Sequence, residues 1–171
     1  MNRKHTVEKY RSIMDTIRRL LPQATVFTDI IVGFTGETEE QFRNTRKIMD
    51  EFKYNMAYIA QYSPRPGATS SRWADDVPKE VKSARFHQLS QDLRKHTAVH
   101  NQNMIDKTFR VLVTGQDRKA GFLSALTEGK IVCRFASEDK NLIGEFVDIK
   151  ISSSTDFSVE GELAPAAVQV S

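Results

Sequence analysis

TDIIVGFTGETEE, residues 28–40, holds the transition on which the fold turns. Ile30, Ile31 and Val32 make a continuous apolar run rather than an alternating one, which suits a parallel strand covered on both faces. Asp29 interrupts it, and a carboxylate there needs a partner or a solvated strand end. Gly33-Phe34-Thr35-Gly36 then breaks the strand. Thr38 with Gln41 three residues on is a capping box, so a helix begins at once and runs to about residue 52. Its inward stripe is Phe42, Thr45, Ile48, Met49 and Phe52. Glu37, Glu39 and Glu40 lie where a helix start favours negative charge. Strand, glycine turn and capped helix form a βα junction of the kind that carries sites.

Working outward, residues 6–21 predict an amphipathic helix capped by Thr6 and stopped by Pro22. Its apolar positions are Val7, Tyr10, Ile13, Met14, Ile17, Leu20 and Leu21. The strand spans 25–34 and a second, YNMAYIAQY, spans 54–62. Helix, strand, helix, strand with short links implies βα units and a parallel sheet. Two strands cannot cover two long amphipathic helices. The unit therefore reads as the C-terminal part of a larger α/β barrel or sheet, with Met1 an internal methionine. SPRPG, residues 63–67, follows as a rigid loop that presents Arg65 between two prolines. VPKE at 77–80 opens a long helix reaching about Asn103, with Val81, Ala84, Leu89, Leu93 and Val99 as candidate buried positions.

From Thr108 the period changes to two. Five short runs, near 108–114, 121–126, 130–136, 145–152 and 158–163, predict a small all-β barrel. The division is 1–77 for the α/β part, 78–105 for a connecting helix, 106–163 for the barrel and 164–171 for a tail. The fold class is thus α/β plus all-β.

Of the 171 residues, 25 are Lys or Arg and 22 Asp or Glu, a net +3. That excess is too mild to argue for nucleic acid by itself. Residues 1–105 carry 17 cations against 12 anions, whereas 106–163 carry 8 against 10, so charge does not place RNA on the barrel. No apolar run approaches a membrane span. The one cysteine, Cys133, excludes an internal disulfide or a multi-cysteine metal site in this chain and points to a reducing, cytoplasmic setting. It reads as a core cysteine on a barrel strand. His96 and His100 share a helix face, but no acidic or thiol ligand accompanies them.

Four stretches in order, MNRKHT, TDIIVGFTGETEE, YSPRPG and VPKEVK, followed by Asp106-Lys107-Thr108 and LIGEFVDIKI at 142–151, resemble the tRNA methylthiotransferase family. These are radical S-adenosylmethionine enzymes that end in a TRAM domain. The resemblance spans nearly the whole chain. It implies the C-terminal part of a radical S-adenosylmethionine α/β barrel followed by a five-stranded TRAM β-barrel. The implied activity is attachment of sulfur and then methyl to carbon 2 of an isopentenylated adenosine beside the tRNA anticodon. S-adenosylmethionine and two 4Fe–4S clusters are the implied cofactors, with tRNA and a sulfur source or electron donor as partners. The cluster cysteines of the family lie upstream of the matching stretches and are absent here, so this chain alone is expected to be inactive. Three positions depart from the family: Thr35 stands for a common proline, Asp106 for a common glycine and Phe122 for a common arginine. The competing reading is a non-catalytic RNA-binding module derived from the family. A phosphate-binding turn is disfavoured, because no Walker lysine or dinucleotide fingerprint is present.

The resemblance, with the rule that such sites lie at strand C-terminal ends, selects cofactor candidates Val32, Gly33, Phe34, Gly36, Glu37 and Tyr62, with Arg3 for a carboxylate. RNA candidates are Arg65, Lys107, Arg110, Arg118, Lys119, Lys130 and Arg134, with Phe122 and Phe135 as stacking surfaces. Each has a plainer alternative. The glycines can serve turn geometry alone, Glu37 can cap its own helix, the cations can be a solvated surface, and the phenylalanines can be core.

Overall fold

The computed structural model describes residues 4–165. Helix α1 spans Val7–Leu20, strand β1 Phe27–Val32, helix α2 Glu39–Phe52, strand β2 Met56–Gln61 and helix α3 Lys79–Gln102. Strands β3 (Thr108–Gln116), β4 (Phe122–Thr127), β5 (Val132–Ala136), β6 (Phe146–Ser154) and β7 (Ser158–Leu163) complete the chain.

The caps form as the residue types dictate. Thr6 accepts from the Lys9 backbone N–H, and Thr38 and Gln41 close the reciprocal box on α2. Pro78 sits at the N-cap of α3, one residue before the first helical position. Strands β1 and β2 pair in parallel with Asp29 opposite Tyr58 and Ile31 opposite Ala60. Since neighbours in a strand face opposite ways, one face of this sheet carries Val32 and Ala57 into a core shared with Met14, Phe42, Met49, Leu89 and Leu93. The other face leaves Asp29, Ile31, Tyr58 and Ala60 exposed, so Asp29 is solvated rather than paired.

Two sequence expectations fail in the helices. In α1, only Met14 is buried, while Val7, Ile13, Leu20 and Leu21 stay open. In α3, Ala84 and Val99 face solvent, and the buried stripe is Lys82, Arg85, Leu89, Leu93, Thr97 and Asn101. That stripe keeps the three- and four-residue spacing of an amphipathic helix, but polar side chains occupy both of its ends.

The second unit is a closed barrel in the order β3-β4-β5-β7-β6, all antiparallel except β5 with β7. Inward residues alternate along each strand: Val111 and Val113, Leu123 and Ala125, Cys133 and Phe135, Ile149 and Ile151, then Val159 and Gly161. A Cβ at Gly161 would come within 2.3 Å of the Lys150 carbonyl oxygen, so glycine is what lets β7 close against β6. Asp106 enters the barrel at φ 65°, the left-handed region that glycine adopts without penalty.

The barrel is fastened to the α/β layer. Thr25 Oγ1 donates to Gly129 O at 3.0 Å, and Asn101 Nδ2 donates to Thr155 O at 2.9 Å. Phe27 of β1 packs against the barrel core.

Gly161→Ala is expected to lower stability by about 1–3 kcal/mol, the usual cost of overpacking a tight core, read from the urea unfolding midpoint. Burial pushes the Cys133 thiol up to about 11. A thiol reagent at mildly alkaline pH should therefore leave the folded chain unlabelled and label it once urea opens the barrel.

Candidate cofactor turn and nucleic-acid interface

The turn after β1 is built by its glycines and held from below by α3. Gly33 and Gly36 adopt φ 68° and 75°. At Gly33 a second constraint applies, because a Cβ would meet Lys82 Cγ at 2.3 Å. The Gly33 N–H donates to Glu37 Oε2 at 2.6 Å, and the Gly36 N–H donates to Asp76 Oδ1 at 2.8 Å. Glu37 therefore closes the turn across its own mouth instead of capping α2.

Two buried cations of α3 complete the arrangement. Arg85 Nη1 donates to Glu37 Oε2 at 2.8 Å and to Glu37 O at 3.1 Å. Its Nη2 reaches Glu39 at 3.4 Å, and its guanidinium lies over the Phe42 ring. Lys82 Nζ donates to Tyr62 O at 3.2 Å and pairs with Asp75. One helix thus grips the turn after β1 through Arg85 and the loop after β2 through Lys82. Thr35 Oγ1 is buried beside this clamp without a hydrogen-bond partner.

Above the clamp lies a pocket of about 580 Å³ lined by Ile31, Phe34, Tyr62, Arg65, Ser70 and Trp73, among others. Phe34 stands edge-on to Tyr62 at 4.8 Å and to Trp73 at 6.0 Å. Aromatic walls with a few polar groups at the rim suit a planar, partly polar ligand.

On the barrel, Lys119 Nζ lies 3.6 Å from the centre of the Phe122 ring and 3.3 Å from Glu160. Arg134 lies 3.6 Å from Asp117. The Ser124 hydroxyl and then the Lys119 backbone N–H hold the Asp117 carboxyl below its ordinary range. Across the barrel, the Arg110 guanidinium stacks over Phe146, which is 60% exposed.

Residues 102–164 match the family model of the TRAM domain. Three curated relatives each bear the name tRNA-2-methylthio-N(6)-dimethylallyladenosine synthase. That of Nitrosomonas eutropha is 36% identical over 96% of this chain and 37% of its own length. That of Oceanobacillus iheyensis is 38% identical over 99% and 33%, and that of Burkholderia thailandensis 38% over 97% and 37%. The chain is similar to the C-terminal part of the proteins that carry this name. It spans about a third of the length of the curated relatives it matches.

The candidate residues fall into three groups. Phe34, Tyr62 and Arg65 meet in the aromatic pocket, and Gly33, Gly36 and Glu37 form the turn beneath it. Val32 belongs to neither group, being fully buried on the helix side of β1, and Ile31 lines the pocket in its place. Arg3 lies outside the described residues. On the TRAM barrel, Lys107, Arg110, Arg118 and Lys130 are exposed, whereas Lys119 and Arg134 are engaged by Glu160 and Asp117. Phe135 is sealed in the core and offers no stacking face, because β5 turns it inward with Cys133. Phe122 is half-buried under Lys119. His96 and His100 do not converge on a metal: His100 Nε2 sits 2.7 Å from Lys53 O and His96 3.5 Å from Asp50.

The sequence reading missed Ile31, Trp73, Asp75, Asp76, Lys82 and Arg85. A signal for the last two existed. Continuing the Leu93–Leu89 stripe toward the helix start lands on Arg85 and Lys82, and a cation in line with a buried stripe calls for an anion. Arg85→Ala would leave the Glu37 carboxylate 12% exposed and unpaired, and should cost about 3–5 kcal/mol on the scale of a broken buried ion pair. Thermal and urea unfolding measure it, and Glu39→Gln at the 64%-exposed partner should cost under about 1 kcal/mol.

Proposed function

We propose that this chain does the work of the C-terminal third of a tRNA methylthiotransferase. Its α/β layer supplies one wall of an S-adenosylmethionine site, and its TRAM barrel supplies RNA binding. One observation carries the reading: similarity at 36–38% identity runs through both units, and the glycine turn, aromatic pocket and barrel stand in one structure. The relatives' name supports, as the proposed substrate, a tRNA adenosine bearing a dimethylallyl group on N6, with a methylthio group added at carbon 2. By the resemblance this adenosine lies next to the anticodon. The parent protein is taken to work in the cytoplasm, and no helix among the described residues is long and apolar enough to cross a membrane.

The residues present fit the cofactor in part. Ile31, Phe34, Tyr62 and Trp73 would hold the adenine, and Arg65 at the pocket rim would meet a carboxylate or phosphate through its planar fork. The turn through Gly33 and Gly36 sets how far Phe34 projects over that pocket, and Arg85 with Glu37 keeps it there. When bound, S-adenosylmethionine supplies radical and methyl chemistry, whereas the chain's own contribution is to bind, orient and shield. The described residues do not fit the two 4Fe–4S clusters. No group of three or more candidate ligands occurs among them, and Cys133 faces the barrel core. Those clusters are assigned to the upstream part of the parent protein.

The expected test uses Trp73, the one tryptophan of the chain. Titration with S-adenosylmethionine should change its fluorescence saturably, and Phe34→Ala should weaken that response at least about tenfold, in line with losing an aromatic contact in a desolvated pocket. A linear, unsaturable response in the intact chain would overturn the cofactor half of the reading. A fluorescent RNA stem-loop should bind with an affinity that falls steeply as salt rises, by about 0.7–0.9 in the log–log slope per phosphate contacted.

A further inference from the structure

A second cavity, of about 1240 Å³, lies at the other end of the α/β layer. Its walls are the Pro22–Thr25 turn into β1, the C-terminal end of α3, the start of β3 and the turn between β4 and β5. Arg18, Lys107 and Arg110 line it, and Glu128 is the one carboxylate among the lining residues. In a chain of net charge +3 this is a local concentration of cations. The barrel cations outside it are differently placed. Glu160 lies against Lys119 and Asp117 beside Arg134, so two of the three cations on the wall around Phe122 are already engaged by carboxylates and only Arg118 is left over.

The cleft is also preformed. Thr25 and Gly129 meet across it so closely that a Cβ on Gly129 would stand 2.6 Å from the Thr25 methyl. Asn101, 2% exposed, ties α3 to the barrel carbonyls of Thr155 and Asp156. Walls fixed before binding spare a ligand the cost of ordering them. At the rim, the Arg110–Phe146 stack offers an exposed aromatic face beside a guanidinium, the combination on which an unpaired base rests. Arg18 holds the Ala24 carbonyl through Nη1 at 3.1 Å, which fixes the direction in which its other donors point.

We propose that the RNA backbone runs through this cleft, gripped jointly by Arg18 of the α/β layer and by Lys107 and Arg110 of the barrel, and not along the Lys119–Phe122–Arg134 wall. The inference rests on the reading that the chain binds RNA. It adds a contact, Arg18, that lies outside the TRAM domain altogether. Lys82 and Asn101 are 19 residues apart on α3, so the cleft stands about 28 Å from the clamp under the cofactor turn at ~1.5 Å per residue. The phosphates it holds therefore belong to nucleotides remote from the one presented at the pocket, and one RNA is held at two separated points.

The test measures anisotropy of a fluorescein-labelled RNA stem-loop on the full 171-residue chain at about 50 mM and about 200 mM salt, where phosphate contacts are most visible. Arg18→Gln alone should weaken binding about three- to tenfold, and the triple variant with Lys107→Gln and Arg110→Gln should lower the log–log salt slope by about 2. Arg18→Lys should restore most of the affinity, which separates charge from folding. Lys47→Gln, on the exposed side of α2, should bind as the parent does. Unchanged binding by the triple variant, with loss on Arg118→Gln plus Lys119→Gln, would overturn the cleft while leaving RNA binding intact. No binding by the unmodified chain at the lower salt would overturn the RNA-binding reading itself, and the cleft with it.

Discussion

The contact between Arg85 and Glu37 is the one on which the arrangement of the α/β layer depends. A guanidinium and a carboxylate removed from water are held more firmly as more of their hydrogen-bonding positions are filled, and here only the Arg85 Nε is buried without a partner among the atoms of this pair. Here Glu37 also accepts from the Gly33 N–H, and Arg85 also donates to the Glu37 carbonyl. The pair therefore fixes backbone as well as side chain. It makes the path of the chain after β1 conditional on α3 being in place. Lys82 does the same for the loop after β2, so two turns distant in sequence share one support.

Helix α3 thereby connects the two ends of the molecule. Near its start it carries the cations under the turns, in its middle Leu89 and Leu93 join the apolar core, and near its end Asn101 meets the barrel. A helix of 24 residues gains little from intrinsic propensity alone and takes its stability from packing. The polar ends of its buried stripe find partners on both units, Lys82 and Arg85 on the turns and Asn101 on the barrel, with the Arg85 Nε left unpartnered. The TRAM barrel is accordingly docked rather than tethered, since the hydrogen bond of Thr25 to Gly129 adds a second fixed point on the opposite side of the cleft.

Much of this was legible in the sequence, for reasons that also mark the limits. The capping box at Thr38, the Pro22 stop and the period-two runs of the barrel are local signals, and local signals survive into the fold. Cys133 read correctly as core because its neighbours alternate. Asp106 read as a departure from glycine, and it stands at φ 65°, the left-handed region that glycine adopts without penalty. The failures are all cases where a distant partner decides. Lys82 and Arg85 look like a solvated face until Asp75 and Glu37 are brought to them. Val32 and Ile31 are equally apolar, and only the sheet's two environments tell core from pocket. Leu20 and Leu21 fit the helical stripe and yet remain open, because nothing among the described residues lies over that end of α1.

The order of strands in the barrel has a consequence for how it is made. β7 is the last strand in sequence, yet it lies between β5 and β6 and forms the parallel seam with β5. Until residues 158–163 have been synthesised, β5 and β6 each present an open edge, and open edges invite pairing with other chains. The barrel therefore cannot be completed progressively as it is translated. β3, β4, β5 and β6 must wait, partly paired, for a six-residue strand whose Gly161 is the only residue small enough to slide in beside the Lys150 carbonyl. Synthesis of residues 158–163 is the step that closes the wall, whereas strands β1 and β2 pair with each other and depend on no barrel strand for their ladder.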